Sequence, residues 1–315
     1  MSSSNILRLW ADALRNGETV DLGSSDVLRL NPKSWGTSKY AQLDVANSRL
    51  QLEGIDQLFG DTDKLIFGDG SDVTLQWDAT RLVGASAANP MWDGCPSPMD
   101  PNYKSQVFEL FDDFLSFDPT AAVGDWPETV VGTGTQARLA DVAGGVLRLS
   151  CQATTDDACE QMMFVSDPFK LAAAKTLWYE TRVRITGDVQ SEHSFGLAAL
   201  GEDLTAVADV LPQDGVSFST QDASLAAALT ASKDGTNTGA VAGVHTLVTA
   251  AWVVLGFKIV GLTSITPYVN GVAGTAAVAT FCDNESLAPY FLVRNGDATT
   301  AQILDIDYVR CVQLR

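Results

Sequence analysis

Histidine is almost missing: His193 and His245 are the only two imidazoles in 315 residues. That removes the commonest general base and the commonest metal ligand from nearly all of the chain. The five cysteines, Cys95, Cys151, Cys159, Cys282 and Cys311, are an odd set at irregular spacing. They read neither as a disulfide framework nor as a zinc pattern. Free, mostly buried thiols are expected, and a Cys151–Cys159 bond across the turn "QATTDDA" stays open. Basic residues are scarce too, with 20 Lys and Arg against 39 Asp and Glu, a net charge of −19. A surface of that sign repels nucleic acid and anionic membranes, so neither is expected as a partner. No run of about 18 apolar residues exists, so no helical membrane span is expected. The most apolar stretch, 246–262, is broken by Lys258 and two glycines and reads as buried strand. The opening "MSSSNILRLWADALRNG" lacks a basic segment followed by an apolar one, so no secretion signal is expected. Helix signals are few: a short helix or an extended arm at 5–14, and a turn within 167–176.

What the chain has in quantity is strand. Apolar residues make up 46% of it, ample for real cores. Stretches such as 26–32, 40–54, 64–68 and 73–78 alternate apolar and polar residues between Gly, Asn and Asp. They predict a small N-terminal β domain with an N-terminal arm over residues 1–85. Residues 86–106 are rich in Pro and Gly and predict a linker, although Met91, Trp92 and Met99 are too apolar for a solvated one. From 107 to 315, turn signals such as "KDG", "VNG" and "RNGD" recur every 8–15 residues. That rhythm predicts a large antiparallel jelly-roll sandwich, so the fold class is all-β. The stretches 144–153 and 159–166 read as a hairpin. In "LWYETRVRI", Leu177, Tyr179, Thr181, Val183 and Ile185 share one face, and Trp178, Glu180, Arg182 and Arg184 the other.

Each candidate site meets a physical objection. "LIFGDGSDVTLQW" (65–77) carries Gly68, Asp69, Gly70 and Asp72 between apolar runs. A phosphate loop would open a helix, whereas Val73, Thr74, Leu75 and Trp77 form strand. An EF-hand would need a Glu where Thr80 stands. A hairpin is expected, and a looser calcium site on Asp69 and Asp72 stays open. Glycoside hydrolysis needs two carboxylates facing one cleft. Asp305 and Asp307 share a strand face but read as solvated, "DDACE" (156–160) sits on a turn, and Asp112 and Asp113 point opposite ways. No serine or cysteine sits in a nucleophile elbow. No cofactor and no catalytic residue is expected, and the chain reads as a non-enzyme. Trp178 reads first as packing against another layer or subunit, and it is also the candidate for stacking on a sugar ring, beside Arg182 and Arg184. Ile6, Leu7, Leu9, Trp10 and Leu14 are too many apolar groups for an idle tail. Burying them offers on the order of 7–15 kcal/mol before ordering costs, so they are expected to dock on a neighbour, and Met91, Trp92 and Met99 to be pinned against a domain or a neighbouring subunit.

"KLIFGDGSDVTLQWD" resembles a segment near the N-terminus of many virion structural proteins of tailed bacteriophages. The stretches "FELFDDFLSFDP", "GGVLRLSCQATTDDACEQMMFVSDPFKLAAAKTLWYETRVRI" and "LGFKIVGLTSITPYVNGV" are similar to the concanavalin-like sandwich of phage capsid-decoration proteins. The resemblance spans about residue 58 to 314. It implies a decoration or cement protein on the capsid exterior, assembled in the host cytoplasm. Its partners would be the major capsid protein and sister copies, with a homotrimer expected at local threefold positions. A carbohydrate-binding host-adhesion module, recognising host surface glycans, and a tail or head-fibre component are the alternative.

Overall fold

The computed structural model describes six N-terminal strands and, beyond them, residues 90–315 apart from 99, 119–123, 140–143, 153–154, 188–189, 207–209 and 297–299. The chain divides into Met1–Gly60 and Asp61–Arg315. In the first unit β1 (Val27–Leu30), β2 (Tyr40–Asp44) and β3 (Arg49–Glu53) form an antiparallel meander. In the second, β4 (Lys64–Phe67), β5 (Val73–Trp77) and β6 (Leu82–Ser86) form another. The six strands β1–β6 thus form two three-stranded sheets. The expected β4–β5 hairpin is present, with Phe67 opposite Val73 and Leu65 opposite Leu75. The connecting residues, Asp69 and Asp72 among them, lie outside the described residues. So do Ile6, Leu7, Leu9, Trp10, Leu14 and Met99.

The sandwich is all antiparallel. Its strands are β7 (Val107–Asp112), β8 (Glu128–Val131), β9 (Gly134–Arg138), β10 (Leu147–Cys151), β11 (Cys159–Met163), β12 (Thr176–Thr186), β13 (Ser191–Ala199) and β14 (Gly215–Ser219). There follow β15 (Ala226–Lys233), β16 (Thr236–Thr246), β17 (Val253–Val260), β18 (Ser264–Val269), β19 (Val272–Ala273), β20 (Ala277–Val278), β21 (Leu287–Asn295) and β22 (Ile303–Leu314). One sheet of nine strands runs β19-β18-β17-β12-β22-β10-β9, with β20 on β18 and β7 on β22. The other, of seven, runs β16-β15-β14-β13-β21-β11-β8. The two faces of β12 separate as the alternation predicts: Leu177, Tyr179, Val183 and Ile185 enter the core between the sheets. The Tyr179 and Phe257 rings stack there at 4.8 Å, and Phe218 and Phe195 of the facing sheet continue the aromatic row at 5.9 and 5.8 Å. Two turns carry the left-handed residues their sequences announce: Asp234–Gly235 between β15 and β16, and Asn270–Gly271 between β18 and β19.

One expectation fails. The 144–153 and 159–166 stretches do not pair: β10 lies between β22 and β9, while β11 lies between β21 and β8 in the opposite sheet. Cys151 and Cys159 thus sit on different sheets, and all five cysteines are free and buried. Within residues 90–106, Met91 and Trp92 are pinned against a domain, as their apolar character predicts. A 3-10 turn at Pro90–Trp92 and a single helical turn, α1 (Tyr103–Gln106), form a strap packed on the outer face of the nine-stranded sheet.

Candidate binding face

The strap explains half of that outer face. Met91, Cys95 and Tyr103 bury themselves with Val107 against Trp178, Tyr268 and Val312. Gly256 makes the approach possible, since a Cβ there would lie 2.5 Å from the Met91 sulfur and 2.7 Å from the Tyr179 carbonyl oxygen. Lys258 donates to the Asp93 carbonyl at 2.7 Å, with its ammonium 5.8 Å from the centre of the Trp178 ring. Trp178 is only 1% exposed, so it is no open stacking plate for a sugar. Its polar-side position is correct, and the strap covers it. Trp92 marks the strap's edge. It is half-buried, donates from Nε1 to Glu180 at 3.2 Å, and lies under the Arg310 guanidinium at 4.2 Å.

The other half of the face is a lattice of arginines, carboxylates and aromatic rings. Tyr308 donates its hydroxyl to the second Glu180 oxygen at 2.8 Å. Arg310 pairs with Glu109 at 2.9 Å. Phe111, 58% exposed, lies 6.2 Å from the Tyr308 ring. Next to them the β12–β22 register shifts between Arg182 and Val183, leaving Asp307 opposite no residue. Arg182 reaches Asp307 at 2.6 Å. Asp305, expected to be solvated, is fully buried, because neighbouring strands deliver a guanidinium from each side. Arg148 binds its two oxygens at 2.7 and 3.0 Å, and Arg184 binds one of them at 2.6 and 3.1 Å. Its hydrogen bonds to the Asp305 carboxylate raise the Arg148 pKa above the usual value. Arg182 and Arg184 both lie over Trp252, at 4.8 and 4.6 Å from the ring centre.

The opposite sheet closes its own outer face. Leu204 and Val210 fold over Cys159, Met163, Ala198, Tyr290 and Leu292, and a buried Glu192–Arg294 ion pair continues the cover. Several other titratable groups lie inside the sandwich. Glu160 is fully buried with no hydrogen-bond donor, and burial and the neighbouring Glu128 raise its pKa to about 8. His193 is fully buried with Nε2 unpartnered, and burial lowers it to about 3. Burial lifts the Cys151 thiol to about 12. Asp112 accepts from the Phe114 backbone and from Trp126, and Asp113 from the Leu115 backbone, so both brace a turn. Among the described residues no cluster of three His, Cys, Asp or Glu could hold a metal ion. Sequence reasoning missed Arg148, Trp252 and Tyr308. Arg148 and Trp252 show only once the strand order is known. The bulge at Asp307 hides Tyr308 by breaking the alternation along β22.

The fold and this face define an all-β jelly-roll sandwich with one outer sheet face half covered and half open. No family model matches the chain, and no curated protein matches it. Solved structures resemble it at low identity. A protein of unknown function from Shewanella oneidensis MR-1 is 15% identical with a TM-score of 0.47, covering 70% of this chain and 96% of its own. The Emp46p carbohydrate recognition domain in its potassium-bound form is 12% identical at 0.45, covering 64% and 94%. A Bacillus licheniformis beta-glucanase is 14% identical at 0.46, covering 64% and 96%.

Proposed function

We propose that this chain is a non-enzymatic structural protein of a tailed-bacteriophage virion that binds the outside of the capsid as a decoration or cement protein. The strap carries the reading. Cement must pass force from its attachment segment into its body, and slack chain cannot do that. Residues 90–106, which join the N-terminal strands to the sandwich, are instead pinned by Met91, Cys95 and Tyr103 on the sheet. The net charge of −19 and the sequence resemblance over most of the chain support the same reading. In it Ile6, Leu7, Leu9, Trp10 and Leu14 dock on the major capsid protein or a sister copy, and the protein is a trimer. The test is a reconstitution: undecorated particles mixed with the full chain should bind it at saturable stoichiometry, and a chain lacking residues 1–20 should not bind.

A second reading has its own observation. The open half of the nine-stranded face displays Trp252, Tyr308 and Phe111 among charged hydrogen-bonding groups, the chemistry of a carbohydrate-binding adhesion module. A glycan array tests it. Binding that Trp252→Ala abolishes supports this reading, and silence across the array removes it.

A further inference from the structure

The Asp305 carboxylate leaves two guanidiniums only half used. A guanidinium carries five N–H donors. Arg148 spends Nε and Nη2 on Asp305, and Arg184 spends the same two nitrogens on it. The Nη1 groups of both have no partner among the described residues. Arg182 binds Asp307 through Nη1 and likewise keeps Nε and Nη2. The three side chains are 26–40% exposed, while the carboxylate that fixes two of them is wholly covered. Trp252 stiffens Arg182 and Arg184 from below. Here three guanidiniums are held by two carboxylates, Asp305 and Asp307, within a lattice that Arg310, Glu109 and Glu180 complete.

We infer that Arg148, Arg184 and Arg182 form a preorganised oxyanion-recognition site for the carboxylates of an acidic polysaccharide. The inference rests on the carbohydrate-binding reading above and names its ligand class. Guanidinium forks match planar carboxylates in bidentate geometry, and forks already held in place lose little freedom on binding. The three cations sit on β10 and β12, the two strands that flank β22, and share one face, which suits a polymer with repeated charges. Tyr308 and Phe111, further along the same face, supply flat surfaces for sugar rings.

Titration calorimetry on the full chain tests it with three probes: an oligogalacturonate, a neutral glucan oligosaccharide and polyglutamate. The oligogalacturonate should bind, and more weakly as salt rises. The neutral glucan should bind at least about tenfold more weakly, and Arg148→Gln and Arg184→Gln should each cost about tenfold or more in affinity. Arg148→Lys keeps the charge but loses the fork, and should also bind poorly. If a variant unfolds, the arginine Nε–H resonances of the unaltered protein serve instead and should shift on addition of oligogalacturonate. Absence of uronate binding at millimolar concentration would overturn the inference. Equal affinity for the neutral glucan would overturn it while leaving the carbohydrate-binding reading standing; no binding of either glycan would remove both. Tighter binding of polyglutamate, with the same arginine dependence, would reassign the site to an acidic peptide.

Discussion

Two buried groups with opposite pKa shifts contribute to how stability depends on pH. The folded chain refuses His193 a proton down to about pH 3, whereas the unfolded chain accepts one near 6.5. Unfolding therefore takes up a proton between those values, and stability falls as pH drops through that window. Glu160 behaves oppositely. Folded, it keeps its proton up to about pH 8, while the unfolded chain releases it near 4.5. Stability therefore falls as pH rises from about 4.5 to 8. Where both windows overlap the slopes cancel, so these two groups predict a plateau between about 4.5 and 6.5. Each flank slopes by up to about 1.4 kcal/mol per pH unit. Thermal melts at fixed ionic strength measure it. Glu160→Gln should flatten the alkaline flank and leave the acid one, and an unchanged alkaline flank would refute the assignment. Gly256 offers a second residue-scale test. Gly256→Ala pushes a methyl into Met91 and the Tyr179 carbonyl, and should cost about 1–3 kcal/mol while making residues 90–106 sensitive to protease.

At the scale of elements, the strap belongs to the sandwich. A chain starting at 107 would bare Trp178, Tyr268 and Val312, and should bind a hydrophobic dye and aggregate. One starting at 88 keeps the cover and should stay soluble and melt cooperatively. Equal behaviour of the two would show that the strap contributes little. The edge strand β16 also manages its own exposure. It is long and carries no Asp, Glu, Lys or Arg, but its register shifts twice against β15, and such bulges discourage a further strand from pairing. The sequence made individual strands readable, because alternation at 177–185 reports the two faces of a strand directly. The turns at Asp234–Gly235 and Asn270–Gly271 were readable from their own chemistry. Neighbour relations were not. β10 and β11 look like a hairpin because they are close in sequence, yet they sit in opposite sheets. The arginine lattice escaped notice for the same reason. Arg148 and Asp305 are 157 positions apart, and only strand order joins them. Trp178 lies on the face that alternation assigns it and packs under another layer, the strap, as one of its two readings has it, although alternation alone cannot say what lies on top of a strand.

At the scale of the molecule, the proposed role on a virion sets the expected outcomes. Removing residues 1–20 should leave a folded protein with nearly unchanged thermal stability that no longer trimerises, as measured by light scattering. A truncated chain that remains trimeric would move the subunit contact to another part of the molecule. The attachment to capsids is the central claim, and counting the protein in purified virions tests it most directly. Quantitative mass spectrometry against the major capsid protein, with cryo-electron microscopy of particles labelled on this chain, gives number and place together. The account predicts on the order of hundreds of copies on the outer head surface at local symmetry positions. Absence from particles, or about a dozen or fewer copies confined to the tail or one vertex, would contradict it.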